Sequence, residues 1–259
     1  MKDLRFHAHT REELTALALA GAMAVVPLAA TEQHGPHLPV YTDTLIAEHV
    51  IMQAAERASA GASLLVCPVL PIGCSDHHLA YGGTLSFSSS TYLSMLREIG
   101  ESLVQDGFRR IVFLNAHGGN EPMMTQAASD LAVRHPIWTA SASYWSIARE
   151  ALHGENAGEM GLVPGHAGGF ETSAVLALRP DWVRTDHIQP EHPRREWIGA
   201  GPSGTFLGRH LELTGYEGFT DSAAPASAVH GERYLAAISG AVAAWLSSVY
   251  AAMEKGDRV

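Results

Sequence analysis

Residues 22–28 read Ala22-Met23-Ala24-Val25-Val26-Pro27-Leu28, and they run into Thr31-Glu32-Gln33-His34-Gly35-Pro36-His37-Leu38-Pro39 and then Thr42-Asp43-Thr44. The unbroken apolar run predicts a buried strand, and the Thr-Asp-Thr triplet before Leu45-Ile46-Ala47-Glu48-His49-Val50-Ile51 predicts the start of a helix. Two carboxylates, Glu32 and Asp43, and two imidazoles, His34 and His37, therefore fall on one strand-to-helix loop. Glu32 and His34 are two residues apart, so extended backbone lets both point the same way. Gly35, Pro36 and Pro39 stiffen the turn, so its side chains are held without a long entropic search. A preorganised cluster of this kind is a metal site in outline.

Working outward, the same alternation of strand and helix recurs. A capping box at Thr10 and Glu13 opens a helix through Leu19. Ser63 to Val69 reads as a second strand, about Ser90 to Gln105 as an amphipathic helix, and Arg110 to Asn115 as a buried strand. Helix from Glu121 to Val133 and strand from Ile137 to Ala142 follow, then Phe170 to Leu178 as helix or buried strand, and last an alanine-rich helix from Ala228 to Met253. Such alternation predicts a mostly parallel sheet covered on both faces, an α/β fold in one domain spanning 1–259. Between Arg179 and Ala226 the periodicity fails, and a segment that long inside a domain predicts a lid or an oligomer contact.

The chain has 259 residues, 46% hydrophobic and 17% charged, with a formal net charge of −10. No Lys/Arg run is present, so nucleic acid and anionic membrane are not expected partners. No apolar stretch reaches the roughly 18 residues of a membrane span, and Met1 to Arg5 lead into polar residues, so a cytoplasmic location is expected. Cys67 and Cys74 lack CxxC spacing and are expected to be reduced thiols. The 15 histidines, several beside glycines in predicted loops, favour metal or acid/base chemistry.

Three further loops sit at or near the carboxyl ends of predicted strands, where open α/β sheets bind ligands. They are Asn115-Ala116-His117-Gly118-Gly119-Asn120, Gly165-His166-Ala167-Gly168-Gly169-Phe170-Glu171-Thr172-Ser173, and Gly73 to His78 with Tyr81 to Ser86. Gly118 and Gly119 make room for a close-approaching substrate. His77 and His78 read equally as surface-loop residues or substrate contacts, and His37 as a support for the ligands. Gly201-Pro202-Ser203-Gly204 lacks the GxSxG spacing and follows no predicted strand, and the His117-Gly118-Gly119-Asn120 loop carries neither GxGxxG nor GxxxxGK[ST], which argues against a serine nucleophile or a phosphate loop at that site.

The segments TEQHGPHLP with TDT, NAHGGN and GHAGGFETS, in that order, resemble the hallmark segments of the creatininase (creatinine amidohydrolase) family from about Ala24 to Leu178. The resemblance implies a three-layer α/β/α sandwich, two divalent ions per subunit, Zn²⁺ or Mn²⁺, hydrolysis of C–N bonds in cyclic or linear amides, and a homo-oligomer, often a hexamer. Carried onto this chain, Glu32 and His34 each match a ligand for one metal, Asp43 the carboxylate bridging both, and His117 a further ligand. Creatininase proper has a glutamate ligand where this chain has Gly119, and Glu171 is the candidate to replace it, as ligand or base. It also has a Glu-His pair where this chain has Gly165-His166. His166 is the acid/base candidate, and Trp145 matches a substrate-facing tryptophan. These departures point away from creatinine as the substrate. A cyclic or linear amide, a formamide, a peptide end or a lactone would pass through a similar tetrahedral intermediate, and a metal-binding assembly protein without turnover is the alternative.

Overall fold

The computed structural model describes residues 3–189, 202 and 205–257. Residues 190–201, 203 and 204 of the segment expected to be a lid or an oligomer contact lie outside them, Trp197 and Ser203 included. Among the described residues the sheet has four strands, β1 (Met23–Leu28), β2 (Leu64–Val66), β3 (Arg110–Asn115) and β4 (Trp138–Ser143), in the order β2-β1-β3-β4. All three pairings are parallel, Val25 lying opposite Val66 and Val112, and Phe113 opposite Ser141. The second strand is shorter than the sequence predicts because Pro68 has no N–H to donate.

Side chains of a strand alternate between faces, and the core divides accordingly. Met23, Val25, Val112 and Leu114 face a layer built from α2 (Thr42–Ala58), α7 (Gly169–Leu178) and α8 (Ala228–Gly256). Ala24, Val26, Leu28, Ile111 and Phe113 face α1 (Arg11–Leu19), α3 (Ser89–Gln105) and α4 (Glu121–Arg134). This is the three-layer sandwich, and the central strands are buried at every position because both faces are covered. Two short helices, α5 (Tyr144–Ile147) and α6 (Arg149–Gly154), lie between β4 and α7.

The ends of the elements follow local chemistry. Thr10 accepts from the Glu13 N–H while the Glu13 carboxylate accepts from the Thr10 N–H, closing the expected box. The segment from Phe170 resolves as helix. Contrary to the sequence reading, α8 is long and apolar enough, by length and composition, to cross a membrane. Here its apolar stripe, from Tyr234 and Leu235 through Ile238, Val242 and Leu246 to Met253, is buried in the core it shares with α2 and α7. Its C-terminal end returns to the amino edge of the sheet, where Asp257 accepts hydrogen bonds from Arg110 at the start of β3 (2.6 Å) and from the Trp138 indole at the start of β4 (2.6 Å).

Candidate metal centre

A parallel sheet puts every strand's carboxyl end on one edge, and there the loop after β1, the loop after β3 and the first turn of α7 converge. Glu32, His34, Asp43, His117, His166 and Glu171 are all buried. Two sets of potential ligand atoms form within 4.8 Å of one another, Glu32–Asp43–His117 and His34–Asp43–Glu171, and Asp43 belongs to both. A third set, Glu32–His34–His166, brings His166 to the same place. Asp43 lies in the first turn of α2 behind Tyr41, and no side chain caps that helix. Thr44 is tied to the Ala30 carbonyl (2.8 Å) and Thr42 to that of Pro39 (2.7 Å), which frees the Asp43 carboxylate for the cluster.

The outer hydrogen bonds of the imidazoles fix their tautomers, because a backbone carbonyl can only accept. His34 Nδ1 donates to the Glu32 carbonyl (3.0 Å), so the bare nitrogen is Nε2, 3.1 Å from Asp43 and 3.7 Å from Glu171. His117 Nε2 donates to the Cys74 carbonyl (3.1 Å), which leaves Nδ1 bare, 3.2 Å from both Glu32 and Asp43. His166 Nε2 donates to the Gln33 carbonyl (2.9 Å), and its Nδ1 faces Glu32 at 3.6 Å. Outward N–H to a carbonyl and inward lone pair is how metal-bound imidazoles are held.

Lone pairs of nitrogen and carboxylate aimed at one another repel unless a proton or a cation lies between them. Glu32 Oε2 and Asp43 Oδ2 are buried without a hydrogen-bond partner, and the basic groups within ion-pair distance of these carboxylates, among the described residues, are imidazoles. Burial alone would push His34 down, but Asp43, Glu171 and Glu32 raise it to about 10. His117, likewise buried, is lifted well above the imidazole range by Glu32 and Asp43. Burial would raise the Glu32 carboxyl, yet His117 and His78 hold it well below the carboxylate range. For Glu171 burial prevails over the nearby His34 and takes it to about 8. Burial, with His78 and His34 close by, keeps His166 well below the imidazole range and hence neutral. The site draws positive charge inward, and its mixed N/O donors suit Zn²⁺ or Mn²⁺. The residues present therefore fit divalent metal.

The remaining predicted residues fall at different distances from this centre. His78 is buried and approaches Glu32 Oε1 at 3.2 Å through Nε2, its Nδ1 accepting from the Gln33 amide (2.7 Å). His77 stacks on His117 at 5.8 Å, and burial with His78 and His117 beside it lowers it to about 4. His37 meets the Thr172 hydroxyl at 2.8 Å, behind the centre. Gly118 faces open space, as a substrate approach requires. At Gly119 a Cβ would sit 2.2 Å from the Cys74 carbonyl oxygen and 2.5 Å from His117, so no carboxylate can come from that position, and the third residue of the second set is Glu171. Trp145 lies edge to face on Tyr144 at 5.1 Å and packs partly buried against the inner core.

Sequence reasoning missed Gln33 and Tyr144. The Gln33 amide donates to His78 and to the Gly218 carbonyl (2.7 Å), linking the first loop to the distant segment before α8. Its place between Glu32 and His34 in a stiff loop was the available signal. Tyr144 is buried, and burial together with the Glu171 and Asp43 carboxylates raises its phenol well above the usual range.

The chain is similar to known proteins in both sequence and fold. Residues 7–246 match the family model Creatininase, described as creatinine amidohydrolase. The creatinine amidohydrolase of Pseudomonas putida is 32% identical over 202 residues, covering 71% of this chain and 75% of that one. The mycofactocin precursor peptide peptidase of Mycolicibacterium smegmatis is 36% identical over 172 residues, covering 64% of this chain and 62% of that one. The match thus spans less than two thirds of that peptidase's length. A crystal structure of creatinine amidohydrolase superposes with a TM-score of 0.81 at 27% identity, covering 96% of this chain and 99% of that chain. A structure described as "Creatininase Mn" has a TM-score of 0.80 at 26% identity over 96% of this chain and 99% of its own.

Proposed function

The chain belongs to the creatininase family, and from that premise we propose that it is a hydrolase with two divalent metal ions that cleaves a C–N bond of a small cyclic or linear amide. The observation that carries this reading is Asp43, whose two oxygens face the bare nitrogens of His34 and His117 in two adjoining ligand sets. Glu32, Asp43 and His117 would hold one ion, and His34, Asp43 and Glu171 the other. When bound, such ions supply a nucleophile from water near neutral pH and polarise the carbonyl that is attacked.

The chain's own groups then divide the remaining work. Asp43 sets the spacing of the two ion sites. Glu171 is steadied by the Ala167 N–H, which donates to it at 2.6 Å. His166, neutral and with a bare Nδ1 turned inward, takes the proton released by the attacking water and returns it to the departing nitrogen. His78, locked by Gln33, offers Nε2–H to Glu32, and the open space over Gly118 is where the substrate would enter. Trp145, edge to face on Tyr144 and only partly buried, is the aromatic side chain that would face the substrate.

The test is metal content and turnover measured on the same preparation, against a panel of cyclic amides, formamides, short peptides and lactones. His166→Ala should keep its metal and lose on the order of 10²–10⁴-fold in rate. If that variant loses metal in proportion to activity and regains full rate with added Zn²⁺ or Mn²⁺, His166 is a ligand and the acid/base role fails. A metal-loaded wild type inert on the whole panel would instead mark a metal-binding protein without turnover.

A further inference from the structure

The loop that delivers His166 and leads into α7 is closed around a carboxylate from a distant part of the chain. Asp221 is 6% exposed, and it lies next to Thr220 in the segment the sequence reads as a lid or contact. The Leu162 N–H donates to Asp221 Oδ2 (3.1 Å) and the Thr220 hydroxyl donates to Oδ1 (2.5 Å). That hydroxyl also accepts from the His166 N–H (2.8 Å), while the Thr220 N–H donates to the His166 carbonyl (2.9 Å).

Three glycines make the space. A Cβ on Gly161 would fall 1.8 Å from an Asp221 oxygen, one on Gly168 2.5 Å from both oxygens, and one on Gly165 3.0 Å away. Gly161 and Gly165 also have positive φ, but Gly168 has φ −88° and ψ −167°, a conformation open to any residue. The Asp221 carboxylate is therefore the reason visible here for a bare α-carbon at 168. Between these contacts Ala167 is held at φ 52°, unusual for a residue with a side chain, with its N–H on Glu171.

We propose that Asp221 is a positioning residue: its carboxylate is the mould on which the 161–169 loop sets, and it thereby holds the His166 ring and the Glu171-bearing start of α7 against Glu32, His34 and Asp43. The consequence for metal and proton chemistry rests on the function proposed above, whereas the effect on the His166 ring does not.

The experiment uses the full chain as wild type, Asp221→Ala, Asp221→Asn, Gly168→Ala and the double variant Gly168→Ala/Asp221→Ala. The ¹⁵N shifts of the His166 ring, assigned by their loss in His166→Ala, report its tautomer in metal-free protein, and a Mn²⁺ titration reports both sites. Asp221→Ala should lose the defined Nε2–H tautomer and bind its second Mn²⁺ about tenfold or more weakly, the scale on which supports of metal ligands act. Asp221→Asn should return both properties to within about threefold, since its amide oxygen can accept from Leu162 and its NH₂ can donate to Thr220. Gly168→Ala should reproduce the loss, and adding Asp221→Ala to it should cost little more, because the two changes act on one contact. A wild-type tautomer and wild-type Mn²⁺ binding in Asp221→Ala, or fully additive losses in the double variant, overturns the proposal. Should Asp221→Ala not fold, the Asn and Gly168→Ala arms decide alone: an undisturbed His166 ring in Gly168→Ala, or no recovery in Asp221→Asn, overturns it. If the wild type binds no Mn²⁺, the metal reading fails by itself and the tautomer comparison still decides the role of Asp221.

Discussion

Stripping divalent metal from the protein should lower its thermal midpoint, and by more at high pH than at low. Two buried carboxylate oxygens, on Glu32 and Asp43, have no hydrogen-bond partner. Leaving such an atom unsatisfied costs about 1–3 kcal/mol, so the pair accounts for about 2–6 kcal/mol that a cation would offset. For a protein of this size each kcal/mol moves the midpoint by roughly 2–4 °C, which gives a shift of roughly 4–24 °C between stripped and loaded protein. Its pH dependence follows from His34, whose pKa rises to about 10 on folding. A proton bound more tightly by the folded state stabilises fully below the unfolded pKa near 6.5 and is lost as pH climbs through 10. The stripped protein should therefore weaken progressively across that window, while in loaded protein a cation takes the place of the proton. Differential scanning calorimetry at pH 6 and pH 9, with chelator and with Zn²⁺ or Mn²⁺ restored, measures both quantities. A midpoint unchanged within 1 °C at pH 9 after verified metal removal, or a shift that shrinks as pH rises, would refute the argument.

Other expectations follow from the same contacts. Asp43→Ala removes the residue common to both ligand sets, so elemental analysis should find neither ion fully bound in a protein that still folds; two full equivalents would contradict the shared role. Glu171→Gln should weaken one ion selectively and leave the Glu32–Asp43–His117 set occupied, which Mn²⁺ titration in the presence of Zn²⁺ can resolve. Cys67 is buried, and burial pushes its thiol up to about 12, so in native protein at pH 8 it should resist alkylation and react only on unfolding; Cys74 is less deeply placed and should react first, as peptide mapping by mass spectrometry would show.

The central strands were legible because an apolar run buried on both faces leaves no ambiguity of face: β1 and β3 fall where the unbroken runs fall. β2 ended early because a proline follows two residues after Val66, a local fact that an apolar count passes over. α8 falls where the alanine-rich spacing predicts it, although its length and composition would satisfy either a membrane or a helical layer, and the packing on α2 and α7 decides which. At the site, the residues on the three loops could be listed from motif and turn chemistry, and the structure brings Glu32, His34, Asp43, His117, His166 and Glu171 together. What stayed hidden was long in range. The bond from Gln33 to Gly218 spans 185 residues, and the segment carrying Gly218 and Asp221 has no periodicity to announce that it is buried.

The return of α8 to the amino edge of the sheet has a practical consequence. Asp257, held by Arg110 and Trp138, lies at the opposite end of six-residue strands from the histidine loops, a separation of about 20 Å at roughly 3.3 Å per residue. Whatever is attached beyond that residue, an affinity handle, a fluorophore or a solid support, starts on the side of the molecule remote from the chemistry. Anchored there, the protein would present its reactive edge outward, which makes the C-terminal side the natural point for immobilising it in a flow assay.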